Sequence, residues 1–145
     1  SPGAENETGN NASCVLRVTS DDSRSILMPG DIERVVERRL LQHNPEKLAA
    51  NVLLAPHHGS LTSSSPAFVS AVNAELVIFS TGYLNRFGFP KAEVSQRYRA
   101  AATARLNTAE EGSIQIRIEA GRPLAISRYR QLQRFGVLPR KISTL

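Results

Sequence analysis

The chain has no tryptophan, one methionine and a single cysteine, Cys14, in 145 residues. One cysteine excludes an intrachain disulfide and any cysteine-rich zinc framework, and it leaves the redox compartment undecided. No aliphatic run is longer than Val52-Leu53-Leu54-Ala55, far short of the roughly 20 residues a bilayer span requires. No apolar signal region precedes the first strand-like run. The opening Ser1-Pro2-Gly3 lacks an initiator methionine, as expected of a piece of something longer. With 41% hydrophobic and 21% charged residues, the composition fits one domain with one core. It excludes collagen-like and wholly disordered chains.

Lysine is scarce too: Lys47, Lys91 and Lys141 stand against 15 arginines, within a net charge of +5. Guanidinium forks suit bidentate phosphate contacts better than ammonium groups do, although an arginine-rich proteome produces the same skew. The charge is uneven. Residues 122–145 hold five arginines and Lys141 with no acid, whereas residues 1–30 hold two more acids than bases. A basic tail of this kind is either a solvated segment or a contact for nucleic acid or anionic lipid.

Residues 1–12 lack apolar periodicity and read as a loop or linker. Cys14 to Val18, a turn at Asp21-Asp22-Ser23, and Ser25 to Met28 predict a β-hairpin. Ile32, Val35, Val36 and Leu40 share one helical face, with Glu33, Arg34, Glu37 and Arg38 expected to face out. Val52 to Ala55 predicts a strand. Ser65-Pro66 supplies an N-cap and a first-turn proline for a helix carrying Phe68, Val69 and Val72. Leu76 to Phe79 predicts the next strand, Val94, Tyr98 and Ala101 a further helix, Ala104 to Asn107 a strand, and Ile114 to Ile118 an alternating strand. Strand and helix alternating in this way predict an α/β fold with a mainly parallel sheet and antiparallel strands at its beginning and end.

In open α/β sheets ligands collect outside the carboxyl ends of the strands. Three loops are expected there: Gly30-Asp31, His57-His58-Gly59-Ser60 and Ser80-Thr81-Gly82-Tyr83. Each has an ordinary reading as well. Asp31 is well placed to cap the helix beginning at Ile32, and paired histidines occur at helix caps or in solvent. Neutral imidazole is also the commonest metal ligand and the usual acid or base near neutral pH, and this chain places two of its three histidines side by side. The hydroxyls from Ser60 to Ser65 are available to a phosphate. Together on one edge, these groups predict a metal-assisted hydrolase site for a phosphate-bearing substrate.

The runs Ser13 to Val18, Ile26-Leu27-Met28-Pro29-Gly30-Asp31-Ile32-Glu33, Leu53-Leu54-Ala55-Pro56-His57-His58-Gly59-Ser60 and Phe79-Ser80-Thr81-Gly82-Tyr83-Leu84-Asn85-Arg86-Phe87-Gly88, with the strand from Gly112 to Ile118, resemble the ComEC family of DNA-internalisation competence proteins. The similar region is the C-terminal half of the family's metallo-β-lactamase-like domain. The resemblance implies half of an αββα fold, with βα units forming a mixed sheet flanked by helices. It implies 13–121 as the half-domain, between the loop or linker read at 1–12 and the basic tail read at 122–145. By the same resemblance, Asp31 is the carboxylate between two divalent ions, manganese or zinc. The histidine loop supplies a further ligand, with either His57 or His58 in that role and the other at the scissile phosphate.

The expected phosphate or DNA contacts are Ser60, Thr62, Asn85, Arg86, Lys91, Arg128 and Arg130. The implied partners are DNA and the remainder of an inner-membrane channel protein, with the domain on the periplasmic side and no organic cofactor. Two departures stand out. The His-x-His-x-Asp-His motif that supplies most of the first metal site is absent, His43 being the only other histidine. Phe89 stands where the family has a histidine, with Lys91 as a speculative substitute. The chain alone is therefore expected to have little or no nuclease activity. The alternatives are a non-catalytic module that binds DNA or packs on the channel, and a phosphoesterase completing its ligand set from a second chain.

Overall fold

The computed structural model describes residues 8–134. After a 3-10 turn at Gly9–Ala12, the chain forms strands β1 (Leu16–Thr19) and β2 (Ser25–Met28) and helix α1 (Arg34–His43). Strand β3 (Val52–Leu54), helix α2 (Pro66–Val72), strand β4 (Leu76–Phe79), helix α3 (Ala92–Ala100) and strand β5 (Ala104–Asn107) follow. The order along the sheet is β1-β2-β3-β4-β5, with β1 antiparallel to β2 and all later neighbours parallel. A short helix α4 (Thr108–Glu111) leads into a separate antiparallel pair, β6 (Ile114–Arg117) and β7 (Ala125–Arg128), and then α5 (Tyr129–Arg134). This is the expected α/β architecture, helices on a mixed and mainly parallel sheet with an antiparallel strand at its beginning, but the antiparallel strands expected at its end form the separate β6–β7 pair and the sheet itself ends in parallel β5.

Period-two alternation divides the core into two layers. Leu27, Leu53, Val77 and Phe79 point to the face that carries the helices, where they meet Phe68, Val69 and Val72 of α2 and Val94 and Tyr98 of α3. Val52, Leu76 and Ile78 point the other way and are covered by Ile114 and Ile116 of β6 together with Leu124. The hairpin therefore acts as a second, two-stranded layer. Segment 122–145, expected as a basic tail, contributes β7 and α5 as far as Arg134. Residues 1–7 of the expected linker and 135–145 of the tail lie outside the described residues. No described helix is long and apolar enough to cross a membrane.

Ser65 caps α2 as expected, its hydroxyl accepting from the Phe68 amide, and Pro66 occupies the first turn, where it forfeits no intrahelical bond. Helix α1 differs from expectation in start and phase. It begins at Arg34 with Glu33 as its N-cap, so Asp31 lies ahead of the helix and does not cap it. Val35 is exposed and Glu37, expected to face out, is fully buried. The physical reason lies 27 residues away. The Glu37 carboxylate accepts from the backbone amides of Ser64 and Ser65, which satisfies a group that burial would otherwise penalise heavily.

The same loop is held from α3. Arg97 donates to the Ser63 and Ser64 carbonyls at 3.0 Å each, and the Ser64 hydroxyl meets the Tyr98 hydroxyl at 2.8 Å. Burial pushes the Tyr98 phenol above its ordinary range, an effect tempered by the bond to Ser64. It stays protonated and available for that bond. Replacing Glu37 with alanine strands two amides, each worth about 1–3 kcal/mol when left unpaired. Urea unfolding of Glu37→Ala should show a loss of about 3 kcal/mol, and Glu37→Gln, which keeps one acceptor oxygen, about half of that. A loss for Glu37→Ala below about 1 kcal/mol would mean that the carboxylate does not hold the loop.

Candidate functional site

Strands β2, β3 and β4 run parallel, so their exits lie at one edge of the sheet. The loops leaving them enclose a cleft of about 490 Å³ lined by Asp31 from the first, His57 and His58 from the second, and Ser80, Thr81 and Gly82 from the third. Asn85, Phe87 and Phe89, further along the third loop, complete the lining. The three expected loops thus meet in space.

The histidine loop is held in an uncommon backbone conformation. His57, His58 and Gly59 have φ of 48°, 56° and 87° in succession, a left-handed run that costs non-glycine residues about 1–3 kcal/mol each and persists only where the surroundings enforce it. Those surroundings are on both sides. The His57 amide donates to the Gly30 carbonyl at 3.0 Å, and the Lys91 amide donates to the Gly59 carbonyl at 3.0 Å. A Cβ on Gly59 would meet Pro90 Cβ at 2.7 Å and Phe79 Cδ1 at 2.9 Å. Only glycine suits this position in both space and φ.

The two imidazoles have different partners. His58 Nε2 lies 3.4 Å from Asp31 Oδ1, with both side chains substantially exposed to the cleft. His57 is more enclosed. Its Nδ1 lies 3.4 Å from Glu33 Oε1 and 3.3 Å from Thr62 Oγ1, while Thr62 donates to the same Glu33 oxygen at 2.9 Å. Its Nε2 is 3.4 Å from Asn10 Nδ2, and its ring meets Phe89 edge-on at 5.9 Å between centroids. An amide donor at Nε2 and acceptors at Nδ1 together favour the tautomer protonated on Nδ1.

Beneath the first loop, the Asp31 amide donates to Ser13 Oγ at 3.0 Å and the Glu33 amide to Asn11 Oδ1 at 2.9 Å. Asn10, Asn11 and Ser13 carried no site signal in the sequence, because they act on groups about 20 or more residues away. Glu33, expected to point to solvent, could have been found from its position two residues after Asp31.

The remaining expected contact residues fall into different places. Ser60 is buried and bonds to Thr62 at 3.0 Å, so both stand behind His57 and neither lines the cleft. Asn85 lines the cleft but spends its amide on the loop itself, accepting from the Phe89 amide at 2.8 Å and donating to the Phe89 carbonyl at 2.9 Å. Arg86 lies over the Phe87 ring at 4.8 Å. Lys91 donates to the Phe87 carbonyl at 2.6 Å. Arg128 pairs with Glu111 at 3.0 Å, and Arg130 donates to the Ala109 carbonyl at 2.9 Å while reaching over Tyr83. His43 ends α1 and is not among the cleft residues.

The donor set does not form a complete metal centre. Among the described residues no three histidine, cysteine, aspartate or glutamate side chains are grouped so as to hold an ion. What is present is two separate carboxylate–imidazole pairs, Asp31 with His58 and Glu33 with His57. Such pairs orient imidazoles and hold protons at stated nitrogens, and they leave His58 and Asp31 facing the open cleft.

No protein-family model matches the chain. It is 35% identical over 115 residues to the uncharacterized protein YcaI of Escherichia coli (strain K12), covering 79% of this chain and 15% of that protein. It is 36% identical over 117 residues to Competence protein ComA of Neisseria gonorrhoeae, covering 81% of this chain and 17% of that protein. It is 35% identical over 107 residues to Recombination protein 2 of Haemophilus influenzae (strain ATCC 51907 / DSM 11121 / KW20 / Rd), covering 74% of this chain and 13% of that protein. The chain thus spans less than one fifth of the length of these relatives.

Gly59 provides a test of the loop that carries both imidazoles. The strain of a left-handed alanine and the contacts at Pro90 and Phe79 should together cost about 2–4 kcal/mol in Gly59→Ala. Denaturant unfolding measures this, and a variant as stable as the parent would show that the loop does not require the close approach.

Proposed function

Because the chain is homologous to a segment of the ComEC-family competence proteins, we propose that it is part of a DNA-uptake protein and contributes one half of a phosphodiester-cleaving site. The observation that carries this reading is the meeting of Asp31, His57 and His58, from the ends of two adjacent parallel strands, in one open cleft. A DNA phosphodiester is the substrate class that fits both the relatives' names and the chain's excess of arginine.

In this reading Asp31 and His58 are the two groups that the chain offers to a divalent ion, and residues beyond this chain supply the rest. A divalent ion held there would neutralise charge on the phosphate oxygens. The chain's own residues do the positioning. The Glu33 and Thr62 oxygens fix the His57 ring from behind, and Phe89 closes one side of it. The Gly30 carbonyl ties the histidine loop to the Asp31 loop, so the two donors keep their spacing. Isolated from the parent protein, the chain would have little cleavage activity. The parent would sit in the inner membrane with this domain on the periplasmic side, where incoming DNA arrives.

One observation favours a second reading, a module that binds DNA without cutting it. Phe89 packs edge-on against His57 at the position where the family resemblance puts a histidine, and Lys91 does not replace that group because its ammonium is bonded to the Phe87 carbonyl.

Cleavage assays on the full-length protein with labelled DNA separate the two. Under the first reading, Asp31→Ala and His58→Ala each lower metal-dependent cleavage by about 100-fold or more, the scale of deleting an acid–base or charge-stabilising group, and chelation abolishes it. Cleavage that survives both Asp31→Ala and chelation would remove the site assignment. Under the second, DNA is retained without cleavage, and retention falls steeply with salt whether or not metal is present.

A further inference from the structure

Large apolar side chains meet water at several places on the chain, but unequally. Leu84 is 82% exposed, Tyr83 71% and Phe87 55%, whereas Leu16, Val18, Val35, Leu61, Ile126 and Tyr129 lie between 40% and 50%. The three most exposed therefore share one loop, between β4 and α3. That loop stands clear of the domain, since a Cβ added at Gly82 would meet nothing within 4 Å. Clustered apolar exposure of this kind marks a contact surface.

The apex is held in shape by its own hydrogen bonds. The Asn85 amide donates to the Gly82 carbonyl at 3.2 Å and the Gly88 amide to the Asn85 carbonyl at 3.1 Å, while the Asn85 side chain bonds to both backbone groups of Phe89. Within these turns Leu84 has a φ of 53°, a left-handed position where glycine or asparagine is the usual residue. A leucine there keeps an apolar side chain at the apex despite backbone strain.

Charge surrounds the apex with one sign. Residues 80–92 contain Arg86 and Lys91 and no acid. Arg86 lies over the Phe87 ring at 4.8 Å and has no carboxylate partner among the described residues. Arg130 reaches over Tyr83 at 5.5 Å. The acids that come next in the fold are Asp31 across the cleft, Glu93 in the first turn of α3 and Glu110 in α4.

We propose that this loop is a membrane-docking tip: Tyr83, Leu84 and Phe87 enter the headgroup region of an anionic bilayer, with Arg86 at the level of the lipid phosphates. The inference goes beyond the reading above, in which the membrane belongs to the rest of the parent protein. An apolar apex within a cationic rim gains from both parts of such a surface, because the apex leaves water and each cation is attracted to anionic headgroups. Arginine reaches back to the phosphates from a partly inserted position, and tyrosine suits the boundary with its hydroxyl in the wet layer. The side chains fit a base-stacking role less well. Leu84, the most exposed, offers no π face, and the Phe87 ring is already stacked on Phe89 at 5.6 Å and covered by Arg86. Since Phe87 also lines the cleft with Asp31 and His58, docking through this loop turns the mouth of the cleft towards the lipid surface.

Vesicle flotation of the intact protein tests the proposal with two lipid compositions, phosphatidylcholine alone and phosphatidylcholine mixed with phosphatidylglycerol. The wild type should bind the mixed vesicles more tightly. Leu84→Gly, which suits the left-handed backbone and removes only the side chain, should weaken that binding about tenfold, the scale of one apolar side chain staying in water. Arg86→Gln should weaken binding to the mixed vesicles about fivefold, the scale of one cation at a charged surface, and leave phosphatidylcholine unaffected. Val35→Ser, which removes exposed apolar surface elsewhere, should change nothing. The chain has no tryptophan, so the indole of Tyr83→Trp should report insertion as a blue shift of its emission on adding mixed vesicles. Circular dichroism melting checks that each variant folds.

A wild type that ignores both vesicles would overturn the proposal. So would binding that persists in Leu84→Gly and Arg86→Gln, which would assign it to the basic residues of 122–145, or an equal loss in Val35→Ser, which would make it general adhesion of apolar surface. If the vesicles are ignored and Leu84→Gly instead abolishes binding of labelled DNA or a dimer seen in sedimentation velocity, the loop is a nucleic-acid or self-contact and the membrane proposal falls. Cleavage by the parent protein is read separately, through Asp31→Ala, so failure here leaves that reading standing.

Discussion

The buried carboxylate of Glu37 is the constraint on which the site depends. It lies on a helix between Val36 and Arg38, and its two oxygens take the amides of Ser64 and Ser65. Those amides end the loop that begins at the histidine pair. With Arg97 holding the same loop by its carbonyls, Ser60 to Ser65 becomes a rigid bracket between α1 and α3, and Thr62 on that bracket is what His57 leans against. An internal charge of this kind contributes little net stability when compared with a well-packed apolar pair, but removing one partner leaves the other groups uncompensated. Its value here is in fixing where a loop goes.

The sheet supplies the second constraint. Parallel strands send all their exits to one edge, and alternate side chains to opposite layers. The helices cover one layer and the β6–β7 hairpin the other, so neither face of β3 or β4 is free, and the only chemistry available to these strands lies beyond their ends. Asp31, His57 and Ser80 follow from that topology. The two carboxylate–imidazole pairs then give two cleft-lining imidazoles of different exposure, His57 the more enclosed and His58 the more open, although the two residues are adjacent in sequence.

Most of the scaffold was legible from local sequence. Val52 to Leu54 and Leu76 to Phe79 are continuous apolar runs of strand length, and Ser65-Pro66 is a cap whose partner lies three residues on. Such signals need no knowledge of the rest of the fold. The meeting of Asp31 with the histidine pair was legible at the level of loops, since parallel strands fix where loops emerge. Glu37 was not, because a charged residue on a helix reads as outward unless its partners are known, and these come from a loop 27 residues later. Asn10 and Ser13 were missed for the same reason, whereas Glu33 stands two residues after Asp31 and was readable from that position. Strand β7 escaped because Ala125 to Arg128 contains a single large apolar side chain, Ile126, and becomes a strand through pairing with β6.

Strand β1 forms one margin of the five-stranded sheet, and all four of its residues are exposed. Leu16 and Val18, each half exposed, lie on the same face as Ile26 and Met28 opposite them. Among the described residues nothing pairs with the outer side of β1, so its backbone presents free donors and acceptors beside an apolar strip. That combination extends a sheet readily. In a longer polypeptide it is a seam along which another layer can be joined without disturbing Glu37 or the histidine loop. In a chain separated from such a neighbour it is the place where two copies would first adhere, so self-association of the isolated chain would report the exposed seam and not a biological dimer.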